Sequence, residues 1–330
     1  MATFTALSLD FKTLLSTTLM KVLGTNAIRD NVFDANPLLS WLRGGDRIRV
    51  IDGGERIRIP IMTGKNSTVG SYDNYDLIDT TAQEGVTTAF FNWKQYAGTV
   101  SVSGKELRSN AGSKEKISDI QSTKIDQASM SIQDTVSTDV YTDGTGNGSK
   151  NITGLAAMNE TTPGTTAYAE VPTANTVWVN QSVASVGAAA VNLVPQLRVL
   201  MNDCSQGKNA AATKPDFAVT TQSIHESLEA LIFPMVRYAP NPSGGADAGI
   251  ESLRFKGAEI QWSDYCTSGE LHVLNSNHTT LFVHRDANFS MAEGGFQRPV
   301  NQDAFLTQIL VQLNLATDNR RKGGKLAGIT

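Results

Sequence analysis

The chain is short of charge, cysteine and histidine, and each shortage removes a class of function. Charged residues are 18% of the 330, against roughly 25% in an average soluble domain. Lys plus Arg is 28 and Asp plus Glu is 32, a net charge of −4, so there is no global positive field to grip nucleic acid by its phosphates. A surface this poor in charge suits partial cover by other subunits. Cys204 and Cys266 lie far apart and form no CxxC pair, which reads as two free buried thiols rather than a disulfide framework or zinc site. His225, His272, His278 and His284 fall in no HExxH pair and beside no nucleophile motif, so no metal or catalytic centre is expected. No run reaches the ~20 apolar residues of a membrane helix. The start, Met1 to Asp10, has no basic segment followed by an apolar one, so cytosolic folding is expected and secretion is not. The length and the 40% hydrophobic content allow about two domains and a sizeable core.

What is present is a series of changes in hydrophobic period. Phe11, Leu14, Leu15, Leu19, Val22 and Leu23 recur at helical spacing. Asn36 followed by Pro37 predicts a capped helix to Leu42. The period then becomes two: Arg47 to Val50 and Arg56 to Ile59 alternate Arg with Ile or Val around Asp52-Gly53-Gly54, which predicts a β-hairpin. From Gly64 to Gly85 the chain is polar and aperiodic, too long for an ordinary loop within a compact domain, and an arm ordered by a partner is expected. Val86 to Val102, with Phe90, Phe91, Trp93 and Tyr96, reads as strand, able to pair with the segment before the arm. Ser113 is placed to cap a long helix to about Thr142 whose apolar side carries Ile117, Ile120, Ile125, Ile132 and Val136. The Gly-rich run after Asp143 ends it.

Further on, Asn151 to Met158 reads as strand, Val191 to Cys204 as an amphipathic helix, Asp216 to Thr220 as strand, and Ser223 to Ile232 as a capped helix. Phe255 to Trp262 and Leu271 to Leu274 are strand-like, giving a mixed α/β lobe. Alternate apolar residues from Phe305 to Leu315 predict one long strand. Arg320, Arg321, Lys322 and Lys325 read as a solvated basic end. The segment Asp143 to Lys150 fails as a phosphate loop, because Ser149 and Asn151 stand where Gly and Ser or Thr are needed. It also fails as a calcium loop, because Lys150 stands where the bidentate Glu belongs.

Several stretches in fixed order carry a resemblance: Asp30-Asn31-Val32-Phe33 with Pro37-Leu38-Leu39-Ser40-Trp41-Leu42; Gly64-Lys65-Asn66-Ser67-Thr68-Val69-Gly70-Ser71-Tyr72; Phe91-Asn92-Trp93-Lys94-Gln95-Tyr96. Asp143 to Gly148 with Thr153-Gly154-Leu155, His284-Arg285-Asp286-Ala287-Asn288, and Asn319-Arg320-Arg321 before Leu326 to Thr330 continue it. Together they resemble the major capsid proteins of tailed double-stranded DNA bacteriophages. The resemblance implies an α+β chain of Hong Kong 97-like capsid fold: an N-terminal arm (1–46), an extended β-hairpin E-loop (47–104), a peripheral domain (105–190) with a spine helix (113–142), an α/β axial domain (191–284), and return strands of the peripheral domain (285–330).

It further implies self-assembly through pentamers and hexamers into an icosahedral head shell around packaged DNA, in the virion and assembled in the host bacterial cytoplasm. Arg56, Arg58, Lys65, Asn66, Tyr72 and Tyr75 of the E-loop are then the intersubunit contacts. Lys65 stands where one relative cross-links a lysine, though a solvated loop lysine is the reading kept. The arm begins close to Met1, which implies a separate scaffolding protein or none. Portal and decoration proteins would be further partners, DNA would be enclosed without sequence-specific binding, and no membrane, metal, cofactor or catalysis is expected. The alternative is an encapsulin-like nanocompartment shell around protein cargo. An α/β enzyme with a scattered site is the reading from a different class, and an acid-base cluster in a deep pocket would mark it.

Overall fold

The computed structural model describes residues 36–45, 47–109, 114–173, 175–205, 214–236, 253–292 and 295–330. The helix expected from Phe11 to Leu23 and the Ser113 cap lie outside them. The chain divides into two units, one holding 95–136 and 286–312 and the other 36–94, 137–285 and 313–330.

In the first unit, which holds the long strand Ala304–Thr317 as far as Gln312, the strand that runs to Ser103 pairs with that strand, and Ser290–Met291 pairs antiparallel with Ile309 and Leu310. The helix Lys114–Asp139 carries Ile132 and Val136 buried and Ile125 half-buried. The side chains of Ile117 and Ile120 are outside the described ones. The Lys124 ammonium donates to Ser101 O and to Glu106 Oε2, both at 3.0 Å, and Asp303 pairs with Arg108 at 2.5 Å and Arg298 at 2.7 Å.

The second unit is built on a mixed six-stranded sheet. Its spatial order is Gln181–Val183, Gly324–Leu326, Leu271–Leu274, Phe217–Thr220, Ala258–Trp262 and Leu253–Phe255. Phe217–Thr220 and Ala258–Trp262 run parallel, joined by a crossover that contains the helix Gln222–Val236. That helix and Ala189–Cys204 cover the sheet with Leu193, Leu197, Leu200, Ile224 and Leu228, which pack on Val273, Ile260 and Leu326. This is the main core. Cys204 and Cys266 are free and buried in this unit, and burial pushes both thiols up to about 12.

The described part of this unit begins with the helix Pro37–Gly44, where Asn36 Oδ1 accepts from Leu38 N at 2.9 Å and from the Tyr141 hydroxyl at 3.1 Å. Trp41 stacks on Phe217 at 4.7 Å, and the Arg47 guanidinium lies 4.2 Å above the Trp41 ring. These contacts deliver Ile48–Ile51 to a separate sheet, where it pairs parallel with Thr279–His284, itself antiparallel to Leu313–Thr317.

Five sequence expectations need correction. Ile48–Ile51 and Arg56–Met62 do not form a hairpin: the first pairs with Thr279–His284 and the second with Val86–Asn92. Gly53 and Gly54, at φ +150° and +109°, turn the chain out of one sheet and into another, a path closed to residues with a Cβ. Asp52 holds the first strand by pairing with Arg285 at 3.0 Å. Asn151 to Met158 is not a strand but ends in a helical turn, Leu155–Met158. Leu155 N donates to Val140 O at 2.7 Å, and a Cβ on Gly154 would fall 2.3 Å from that oxygen. Phe255 to Trp262 is a tight hairpin rather than one strand, because Lys256 and Gly257 both take positive φ, as a two-residue primed turn requires. Val86 to Val102 breaks at Trp93 into two strands.

Nor is the basic end solvated. Arg320, Lys322 and Lys325 are buried. Arg320 donates to Met158 O at 2.7 Å and Ala157 O at 2.8 Å, pairs with Glu160 at 3.2 Å, and lies over the Tyr168 ring at 4.7 Å. Lys325 pairs with Glu270 at 2.7 Å. Long side chains bury their stems well, and a charge leaves water when a matched partner waits for it. His272 Nε2 lies 3.3 Å from Glu270 as well, and burial holds that imidazole below the usual histidine range. Removing Lys325 leaves the Glu270 carboxylate with only an imidazole that burial disfavours charging, so Lys325→Met is expected to destabilise the protein by about 3–5 kcal/mol. The exposed-pair variant Arg108→Ala should cost under about 1 kcal/mol. Urea unfolding of both variants checks the contrast.

Candidate assembly surface

The feature that its own unit leaves without cover is the segment between the antiparallel strands Arg56–Met62 and Val86–Asn92. The strand pair is an ordinary half-buried ladder: Ile57, Ile61, Ala89 and Phe91 are buried and Ile59 is half-buried on the same face, while Arg58 and Pro60 face outward, as a period of two demands. Phe91 meets Tyr168 edge-on at 5.5 Å. Beyond the ladder, Thr63 N donates to Gly85 O at 2.9 Å and the chain continues as two limbs with no regular structure.

These limbs hold their shape through short-range side-chain bonds. Asn66 Oδ1 accepts from Thr68 N at 2.9 Å and from its hydroxyl at 2.6 Å. Asp79 Oδ1 accepts from Thr81 in the same two ways, and these bonds hold the Asp79 carboxyl below the usual range. The Ser67 hydroxyl donates to Gln83 Oε1 at 2.9 Å and ties one limb to the other. Such local bonds are the means by which Asn, Asp, Ser and Thr shape a loop without a core.

The tip is apolar where it is most open. Tyr75 is 97% and Leu77 100% exposed, and Val69, Tyr72 and Ile78, close to them in sequence, are exposed too. Clustered exposed apolar side chains of this kind mark an interaction surface, whereas single ones do not. Of the residues that the sequence nominates, Lys65, Asn66, Tyr72 and Tyr75 stand on this ribbon. Arg56 and Arg58 stand on the stem and are engaged within the chain: Arg56 pairs with Glu170 at 2.7 Å, and Arg58 lies 5.7 Å from the centre of the Phe90 ring. Val69, Leu77 and Ile78 were missed by sequence reasoning. Their signal was present, since three large aliphatics stand in a stretch with no apolar period.

Two other concave surfaces stand out, one in each unit. One is lined by Tyr96 to Ser101 and by Lys124, Gln127, Ala128, Ser131, Ile132 and Thr135. The other is lined by Thr221, Gln222, Ser223, Glu226, Ser263 and Asp264. Neither holds a histidine or a cysteine, and among the described residues no group of three or more His, Cys, Asp or Glu is placed to hold a metal ion. No described helix is long and apolar enough to cross a membrane.

No family model matches the chain, and no curated protein matches it in sequence. Solved structures do match. A chain of the cyanophage A-1(L) capsid asymmetric unit superposes with a TM-score of 0.67 and 15% identity, covering 93% of this chain and 96% of that one. The chain has the Hong Kong 97-like capsid fold. A chain of the capsid of a native GTA particle matches at a TM-score of 0.56 and 12% identity over 93% of this chain and 94% of that one. One from Mycobacterium phage Bobi matches at 0.54 and 11% over 94% and 97%. In this example of the capsid fold, the ribbon from Thr63 to Gly85 contributes nothing to its own core. Tyr75→Ser with Leu77→Ser should therefore shift the stability of the isolated subunit by less than about 0.5 kcal/mol. Phe91→Ala on the stem should cost about 3–5 kcal/mol. Urea midpoints of the two variants measure the difference.

Proposed function

We propose that this chain is a shell subunit, the major capsid protein of a tailed double-stranded DNA phage, which assembles through pentamers and hexamers into an icosahedral head. The observation that carries the reading is the uncovered apolar tip, Tyr72, Tyr75, Leu77 and Ile78, on a capsid fold. Those side chains have no partner surface in their own unit and gain one when the arm lies across an adjacent subunit. Each large side chain buried there contributes about 1.5–3 kcal/mol, and a shell repeats the contact at every subunit. Heterologous contacts between identical copies close into rings, and the axial lobe, 191–284, is the part proposed to meet its copies around the five-fold and six-fold axes.

The role is structural and not catalytic. Enclosed DNA would meet a subunit of net charge −4, whose C-terminal cations Arg320, Lys322 and Lys325 are buried, so packing without tight or sequence-specific binding is the expected relation. A scaffolding protein, a portal and decoration proteins complete the proposed set of partners, and assembly is proposed to occur in the bacterial cytoplasm.

Deleting residues 66–83, beyond the last rung of the stem, is the direct test. Under conditions in which the full chain gives shells, sedimentation velocity and negative-stain electron microscopy should show a soluble folded subunit and no particles. Normal particles from the deletion would overturn the reading. Nuclease-resistant DNA in shells from infected cells supports the phage assignment, whereas protein cargo alone would replace it with a nanocompartment.

A further inference from the structure

The root of the arm is held by a segment that neither the fold assignment nor the proposed contact explains. Phe90 N donates to Ala169 O at 2.9 Å, so this amide points away from the partner strand Arg56–Met62. In an antiparallel ladder such positions alternate, which puts Asn92 on the same outer edge. Its carbonyl accepts from Asn314 Nδ2 at 2.7 Å. The outer edge of the stem is thus gripped at two successive outward positions, by the tip of the 159–171 segment and by a buried side chain of the long return strand.

That tip is itself an unusual piece of chain. Tyr168 and Val171 pair across it, and between them Ala169 and Glu170 both lie in the left-handed region, at φ +57° and +61°. Two adjacent non-glycine residues hold that conformation only where their surroundings impose it. The surroundings are on both sides. Toward the arm, Glu170 pairs with Arg56 and Tyr168 meets Phe91. Toward the core, Tyr168 lies under the Arg320 guanidinium and takes the Trp178 ring at 6.4 Å. Glu160, at the start of the segment, pairs with the same Arg320 and accepts from the Thr166 hydroxyl. The Asn180 amide donates to Glu160 O at 2.8 Å. An unbroken series of contacts therefore runs from Arg320 through Tyr168 and the turn to the stem of the arm.

We propose that the 159–171 segment is a clamp that fixes the direction in which the arm leaves its subunit, with Glu170 and Arg320 as its positioning residues. The clamp stands on contacts within one subunit, and only its consequence for assembly rests on the reading of the arm as the contact between subunits. Its purpose in that reading is preorganisation. An arm held in one direction loses less freedom when it docks than an arm free to swing about its root.

The test uses the full chain as a soluble subunit, with nitroxides on Thr68→Cys and Glu229→Cys. Cys204 and Cys266 are buried with raised thiol pKa values, so the labels go to the introduced sites. Pulsed dipolar spectroscopy should give a narrow distance distribution for the parent. Glu170→Arg, which sets two like charges together at the exposed Arg56 position, should widen it at least twofold and speed exchange of the Phe90 amide at least tenfold. The inward-facing Ala89 amide should keep its protection. The swapped pair Arg56→Glu with Glu170→Arg should restore both. Arg320→Met should widen the distribution from the other end of the series.

An unchanged distribution and unchanged Phe90 exchange in folded Glu170→Arg would overturn the clamp. Failure of the swapped pair to restore them would do the same, because it would trace the effect to damaged folding. Particle yield separates the two readings. A widened arm with normal particles leaves the clamp standing and overturns the arm as the contact between subunits.

Discussion

From Thr63 to Gly85 the chain has no apolar period and therefore no core to fold around, so its position has to be set from its root or from outside. A few residues of the second unit hold the root. A ladder of seven residue pairs joins the two stem strands, and the outer edge of the ladder is held by Ala169 and by Asn314. Asn314 is fully buried, and its Oδ1 also accepts from Thr153 N at 3.0 Å. The opposite edge carries Pro60, directly across from Thr88, at a position whose amide would point outward. Proline there removes a donor from an exposed edge, a common guard against unwanted strand addition. A stem so fixed presents its tip together with Met62 and Val86, the exposed apolar pair of its last rung.

The cost of that arrangement falls on buried charge. Arg320 with Glu160, and Lys325 with Glu270 beside His272, place ionised groups where hydrophobic residues would normally stand. Such pairs add little net stability over well-packed apolar groups. What they add is definition: the guanidinium fits two carbonyls, a carboxylate and a ring face in one geometry, and a displaced register leaves the charge unpaired. The last strand, Gly324–Leu326, and the 159–171 segment are located by that requirement.

How far the sequence was legible follows from which forces set each element. Helices with a strong stripe, such as the one ending at Cys204, and the alternating strand from Phe305 to Leu315 are written in their own residues. The arm was legible as an absence of period, and the proposed contact residues Tyr72 and Tyr75 with it. Its best-exposed aliphatics, Val69, Leu77 and Ile78, were hidden because no local rule separates an uncovered leucine from a buried one. The separation of Ile48–Ile51 from Arg56–Met62 was illegible for another reason. Arg and Ile alternate alike on both sides of Gly53-Gly54, and only the distant partners Thr279–His284 and Val86–Asn92 decide where each strand goes. The burial of Arg320 and Lys325 likewise depends on Glu160 and Glu270, far away in sequence, so a basic run near the end of the chain read as solvated.

The central claim is that the tip of the arm is covered by another copy of this chain. The most direct measurement places a benzoylphenylalanine photo-crosslinker at Tyr75 in assembled particles and resolves the irradiated protein by denaturing electrophoresis. The account predicts a ladder of covalently joined subunits, with the crosslinked peptide mapping to a second copy. Crosslinks confined to single chains, or formed only with a different protein, would contradict it.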